Sequence, residues 1–223
     1  MKIAGIYLAA GRSRRMGMDK RFLPYHGMPL GSAALGEALV SRLDHIVIVT
    51  EKEDSLKWLQ PSFLKLPYSH KWSRAVCREA ARGQGHSISC GIREAVRSKA
   101  DAAVILLADQ PFVRAEQINR LIDCYKEEEC LFVAPASQKV PMPPVLFSSA
   151  CFPLLQALKG DQGARSIIRG ELFQQGKIID FQKPLLFYDV DTPEDYEVLK
   201  KLRGGVSWTI SEKVSYARKP MIK

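Results

Sequence analysis

The chain predicts an α/β protein, a mostly parallel central sheet covered by helices on both faces. Three observations carry this. Apolar runs of strand length recur along the 223 residues, helical patterns separate them, and a glycine follows the first run almost at once. Strands alternating with helices read as βαβ units, whose parallel strands are buried on both faces. Crossovers in such sheets are right-handed, and ligands bind outside the carboxyl ends of the strands.

Residues 3–8 (IAGIYL) form the first strand, and a helix over 33–43 follows. The β-branched run 45–50 (HIVIVT) is a second strand, and 55–59 a short helix. A glycine turn at 83–85 opens a helix over 87–98. Residues 102–108 (AAVILLA) are the most apolar strand candidate. The stretch 115–128 is helical, because Ile118, Leu121, Ile122 and Tyr125 recur on one face. Strands at 131–134, 177–181 and 185–190 complete the sheet, and a last helix over 193–202 carries Pro193 in its first turn. No repeat or linker divides residues 1–203, which read as one domain, and 204–223 form a C-terminal tail. The proline-rich stretch 141–144 (PMPP) is a stiff loop over the site.

Composition narrows the class. With 46% hydrophobic and 26% charged residues the chain is an ordinary globular protein. No apolar run approaches the roughly 18 residues of a membrane span. Lys2 and the apolar stretch after it imitate a secretion signal, but they lead into Arg12, Arg14 and Arg15, so a cytoplasmic protein is expected. Five scattered cysteines without a C-x-x-C pair read as reduced, mostly buried thiols. The net charge of +9 is concentrated: residues 12–21 hold Arg12, Arg14, Arg15, Lys20 and Arg21 against Asp19 alone. Basic residues also gather in 71–82 and in the tail. A nucleic-acid binder would interleave aromatics with such a stripe, so a small phosphorylated ligand explains the pattern better.

The first strand runs into LAAGRSRRMGMDK, residues 8–20. Its glycine spacing fits neither the dinucleotide fingerprint nor the P-loop. The physical parts of an anion cradle are present nonetheless. Gly11 frees the backbone to aim N–H groups at an anion, the arginines offer forked donors, and Lys20 offers a point charge. In LLADQP, Asp109 stands just past the carboxyl end of a buried strand, a costly place for a carboxylate unless it is solvated, paired or metal-bound. It is the first metal candidate. In DVDTPED, Asp189 and Asp191 fall on one side of the chain with Val190 opposite. Thr192, Pro193 and Asp195 have the pattern of a capped helix start, and Asp191 is a possible second carboxylate for the same metal. The stretch GQGHSISCG (83–91) offers small residues, with Ser87 or Ser89 able to bond a base or phosphate, and no catalytic role is expected for His86. In GDQGAR (160–165), Asp161 and Arg165 either pair locally or face a substrate.

Taken together and in this order, LAAGRSRRMGMDK, GHSISCG, LLADQP, GDQGAR and DVDTPED resemble the molybdopterin cytidylyltransferases, MobA-like NTP transferases that include members maturing xanthine dehydrogenase. The resemblance spans residue 3 to about residue 203. It implies a three-layer Rossmann-like, GT-A-like nucleotidyltransferase fold, with CTP and the molybdenum cofactor as substrates and Mg²⁺ as cofactor. It further implies a nucleotide site at Leu8, Ala9, Ala10, Gly11, Arg12, Ser13, Arg15, Lys20, Ser87 and Ser89. Arg15, Lys20 and Asp109 would be catalytic, and Asp109 with Asp191 would hold the metal. The Ala9-Ala10 pair is similar to cytidylyl rather than guanylyl members. The chain departs from the family at 139–144, where a Gly-His-Pro segment is common. Expected partners are the two substrates and, transiently, a molybdoenzyme, with neither nucleic acid nor membrane among them. The rival readings are a sugar- or polyol-phosphate nucleotidyltransferase, a non-catalytic cofactor-insertion partner and a nucleic-acid-binding domain.

Overall fold

The computed structural model describes residues 1–202 apart from 12, 14, 138–139, 169 and 182–183. The tail 204–223 and the proposed ligand Arg12 therefore lie outside the described residues, as do Arg14 and Lys139.

An eight-stranded sheet forms the middle layer. Its core is β1 (Ile3–Leu8), β4 (His45–Thr50), β5 (Trp72–Val76) and β6 (Ala102–Leu107), flanked by β7 (Phe132–Ser137), β9 (Val145–Ser148) and β10 (Gly176–Asp180). The spatial order is β10-β7-β9-β6-β1-β4-β5, with the short β8 (Val140–Pro141) paired to β7. A separate hairpin joins β2 (Pro24–Tyr25) and β3 (Met28–Pro29). The pairs β1–β4, β1–β6, β4–β5 and β7–β10 are parallel. Among the described strands of the large sheet, β8 and β9 run against their neighbours, and β2 and β3 are antiparallel to each other.

Alternation along β1 builds both halves of the core. Ala4, Ile6 and Leu8 join the cluster around Ile88, Ile92 and Leu155, while Ile3 and Tyr7 join Leu35, Leu39, Ile118 and Leu121 on the other face. Helices α2 (Gln84–Arg97) and α4 (Phe152–Gln156) therefore cover one face, and α1 (Leu30–Val40) and α3 (Ala115–Glu127) the other. Two more helices, α5 (Arg165–Ile168) and α6 (Pro193–Leu202), follow late in the chain. All five cysteines are free thiols, and only Cys130 is not fully buried.

The order of the strands positions the site. From β1 the chain moves outward through β4 to β5, then returns to the other side of β1 as β6. Leu8 is level with both Val49 and Leu107, so the loops leaving β1, β4 and β6 emerge together. That reversal opens a crevice at the carboxyl ends.

Two expected elements are absent. Residues 55–59 are not helical: the Asp54 carboxylate accepts from the Leu56 N–H (2.7 Å), and Leu56 takes a left-handed φ of 57°. An aspartate bonded to the backbone two residues on makes a turn instead. Residues 185–190 are not a strand, but a 3-10 turn over Pro184–Phe187 followed by irregular chain. Leu186 and Phe187 are buried there without a ladder, and apolar content alone cannot tell these cases apart. The first helix starts and stops earlier than expected. The Ser41 hydroxyl donates to Ala38 O and accepts from Leu43 N, which ends the helix at Val40.

Candidate active site

Three segments meet at the crevice. The loop after β1 brings Lys20, the end of β6 brings Asp109, and the chain entering α6 brings Asp191. A backbone bond from Val190 N–H to Asp109 O (3.0 Å) joins the two acidic segments. The expected cap then fixes Asp191. The Asp195 carboxylate accepts from the N–H groups of Asp191 (3.1 Å) and Thr192 (2.9 Å), and the Thr192 hydroxyl accepts from Asp195 N–H (3.2 Å). Val190 is fully buried opposite, as the alternation predicts.

Lys20 is the hub. Its Nζ lies 2.7 Å from Asp109 Oδ2 and 2.9 Å from Asp191 Oδ1, and its side chain is 12% exposed. Burial works against the charged ammonium, yet the two carboxylates outweigh it and raise its pKa above the ordinary lysine value. Arg15 reaches the same Asp191 from the mouth (2.8 Å). The Ser13 hydroxyl accepts from Lys20 N–H (3.2 Å), folding the basic loop back on itself.

A cleft of about 430 Å³ opens beside this hub. Leu8, Ala9, Ala10, Gly11, Ser13, Arg15, Lys20, Ser87, Asp109 and Asp191, all expected at the site, line it together. Ser89 does not. Its hydroxyl donates to Gln156 O (2.8 Å), because residues two apart on a helix point to different sides. Arg21, counted in the basic cluster but given no site role from the sequence, also lines the cleft, as do Ala80, Ala81 and Arg82, which were not expected there; Arg82 pairs with Glu79. A second cleft of about 540 Å³ shares Asp109 and Asp191 with the first, and Met142, Pro143, Asp161, Arg165 and Asp189 line part of it. The 141–144 stretch thus does border the site, with Val140–Pro141 in a short strand.

The glycines of 83–85 serve packing against backbone. A Cβ on Gly83, whose φ is +124°, would lie 2.2 Å from the carbonyl carbon of Gly160, and one on Gly85 would lie 2.8 Å from Lys159 N. Gly85 N–H also donates to Gly160 O (2.9 Å). Helix α2 and the 159–163 loop are thereby docked, which sets Asp161 at the border of both clefts. The clash leaves no room for a methyl group, so Gly83→Ala should lose about 1–3 kcal/mol of stability. A urea midpoint lowered at unchanged slope would register it.

The carboxylates crowd. Burial first, and the Asp109 charge second, push Asp189 up to about 7, although Gln110 Nε2 donates to it at 2.9 Å. The native state therefore holds a proton that the unfolded state releases near pH 4. Stability should fall as pH rises from about 4 to about 7, and the penalty should persist above. Asp189→Asn should flatten that slope and raise the melting temperature at pH 8. In a chain of this size each kcal/mol is worth about 2–4 °C.

The donors suit a hard divalent cation. Asp109 Oδ1 is buried and accepts no hydrogen bond from any described residue. No described cluster of three or more acidic, imidazole or thiol groups is placed to hold a metal. Two carboxylates completed by phosphate oxygens is, however, the usual Mg²⁺ arrangement at nucleotide sites.

A basic, glycine-bearing loop leaving the central strand and an acid-clamped lysine at the switch point make an anion-binding crevice, and together with the family match they put the chain among the nucleotidyltransferases. The chain belongs to the MobA-like NTP transferase domain family, which matches residues 5–178. It is 40% identical over 200 residues to the purine catabolism protein PucB of Bacillus subtilis (strain 168), covering 89% of this chain and 96% of that protein. It is 33% identical over 137 residues to a probable molybdenum cofactor guanylyltransferase of Mycobacterium avium (strain 104), covering 60% of this chain and 64% of the relative. Among solved structures it resembles the crystal structure of Rv0371c from Mycobacterium tuberculosis H37Rv, with a TM-score of 0.70 and 25% identity over 90% of this chain and 99% of that one. No described helix is long and apolar enough to cross a membrane.

Proposed function

We propose that the chain transfers CMP from CTP to the terminal phosphate of the molybdenum cofactor, releasing pyrophosphate, and so serves a molybdoenzyme of purine catabolism such as xanthine dehydrogenase. The observation that carries this reading is Lys20 held between Asp109 and Asp191 where the two clefts meet. One cleft has room for the nucleotide against the loop after β1, and the other for the acceptor. PucB is named for purine catabolism and other relatives for the molybdenum cofactor, which supports the acceptor class. The Ala9-Ala10 pair supports cytidine.

In the reaction an acceptor phosphate oxygen attacks the α-phosphorus of CTP in line. The new P–O bond forms as the bond to the β-phosphate oxygen breaks, and pyrophosphate departs. Transfers of this kind need positioning and charge neutralisation more than a protein nucleophile. Lys20 and Arg15 neutralise charge on the departing pyrophosphate. The backbone of Ala10 and Gly11 meets the phosphates, and Ser87 meets the nucleotide from the opposite wall. Asp109 and Asp191 would hold Mg²⁺, which when bound supplies charge neutralisation across the phosphates.

A guanylyl reading is favoured by the names of several relatives. One assay separates the two: pyrophosphate release with each of the four NTPs, Mg²⁺, and molybdenum cofactor or sugar phosphates as acceptors. Release requires CTP and the molybdenum cofactor together if the proposal holds. Release with GTP, or with a sugar phosphate instead, overturns it.

A further inference from the structure

We infer that Arg21, outside the lysine–carboxylate hub, is a positioning residue that sets which base the nucleotide cleft admits; the inference rests on the nucleotidyltransferase reading above. Its guanidinium is 14% exposed and is held from several sides. Nε and one terminal nitrogen donate to the Asp19 carboxylate (2.9 and 2.7 Å), and the other terminal nitrogen donates to Ala9 O (2.5 Å) and to the Asp54 carboxylate. The guanidinium carbon lies 5.4 Å from the centre of the Trp58 ring, which is wholly buried. Asp54, 3% exposed, is itself fixed by Trp58 Nε1 (3.2 Å) and Leu56 N–H (2.7 Å). At Gly31 an added Cβ would lie 2.8 Å from the Arg21 Cβ, so helix α1 closes over the stem as well.

Such an investment in one arginine needs a purpose, and the Ala9 carbonyl supplies it. The Ala9 N–H donates to Val49 O (2.9 Å) while its carbonyl accepts from Arg21, so both peptide groups flanking the Ala9 Cα are held. Ala9 and Ala10 line the same cleft as Ala80, Ala81 and Ser87. A base lying between these walls meets an edge that cannot recede. A pyrimidine is narrower than a purine by one fused ring, and pinning the peptide converts that width into selectivity. A lysine keeps the charge but lacks the planar fork that reaches Asp19, Asp54 and Ala9 together.

The test is nucleotide selectivity, because a purely structural role lowers activity with all nucleotides alike. Arg21→Lys and Asp54→Asn are compared with wild type in pyrophosphate release with CTP, UTP, GTP and ATP, and the folding of each is checked by its melting curve. The expected result is a shift of at least tenfold in the purine-to-pyrimidine ratio of kcat/KM in either variant. An unchanged ratio with uniformly reduced activity overturns the inference. If Arg21→Lys does not fold, Asp54→Asn alone decides. Wild type that uses no nucleotide refutes the nucleotidyltransferase reading instead, so the two failures are distinguishable.

Discussion

Replacing Lys20 by alanine should lower kcat for pyrophosphate release by about 10²–10³-fold, the usual loss when one preorganised charge partner is removed from a transfer site. The geometry makes the loss twofold in origin. The ammonium proposed to neutralise the phosphates disappears, and Asp109 and Asp191 lose the cation that both accept from. Like charges left close together without that cation repel, which adds to the loss. Lys20→Arg should recover part of the rate, since charge is restored with a bulkier head. Steady-state kinetics of both variants decide the matter, and Lys20→Ala within threefold of wild type would remove the lysine from the mechanism.

Asp109→Asn should be as damaging, also about 10²–10³-fold, but with a different signature. The side chain keeps its shape, and the backbone bond from Val190 to Asp109 O is untouched, so the fold survives. What is lost is the negative charge that pairs with Lys20 and the buried Oδ1 proposed as a Mg²⁺ ligand. The Mg²⁺ concentration needed for half-maximal rate should rise steeply in this variant, while in Lys20→Ala it should not. Removing this charge also relieves Asp189, whose elevated pKa owes its second contribution to Asp109. An Asp109→Asn enzyme with wild-type Mg²⁺ dependence would assign the metal elsewhere.

The sequence was most informative where burial is two-sided. β1, β4 and β6 are continuous apolar runs because parallel strands bury both faces, and their ends could be placed within a residue or two. β5 escaped notice, since only Ala75 of WSRAV is buried on that sheet edge. β9 is a short antiparallel insertion behind a proline pair, with no pattern long enough to read. The acidic and basic site residues were legible because charge at the end of a buried strand is expensive. Arg21 was not: its partners Asp54 and Trp58 lie more than thirty residues away, and only the crossover brings them near. Ser89 shows the opposite failure, a plausible residue type turned aside by helix geometry.

The bond between Val190 and Asp109 carries a consequence for how activity arises during synthesis. Lys20 and Asp109 are made in the first half of the chain, yet Asp191 arrives almost at the end. A nascent or prematurely terminated product that stops short of the α6 cap therefore carries the basic loop without the carboxylate that completes its clamp. The clamp on Lys20 is complete only once the α6 cap has fixed Asp191.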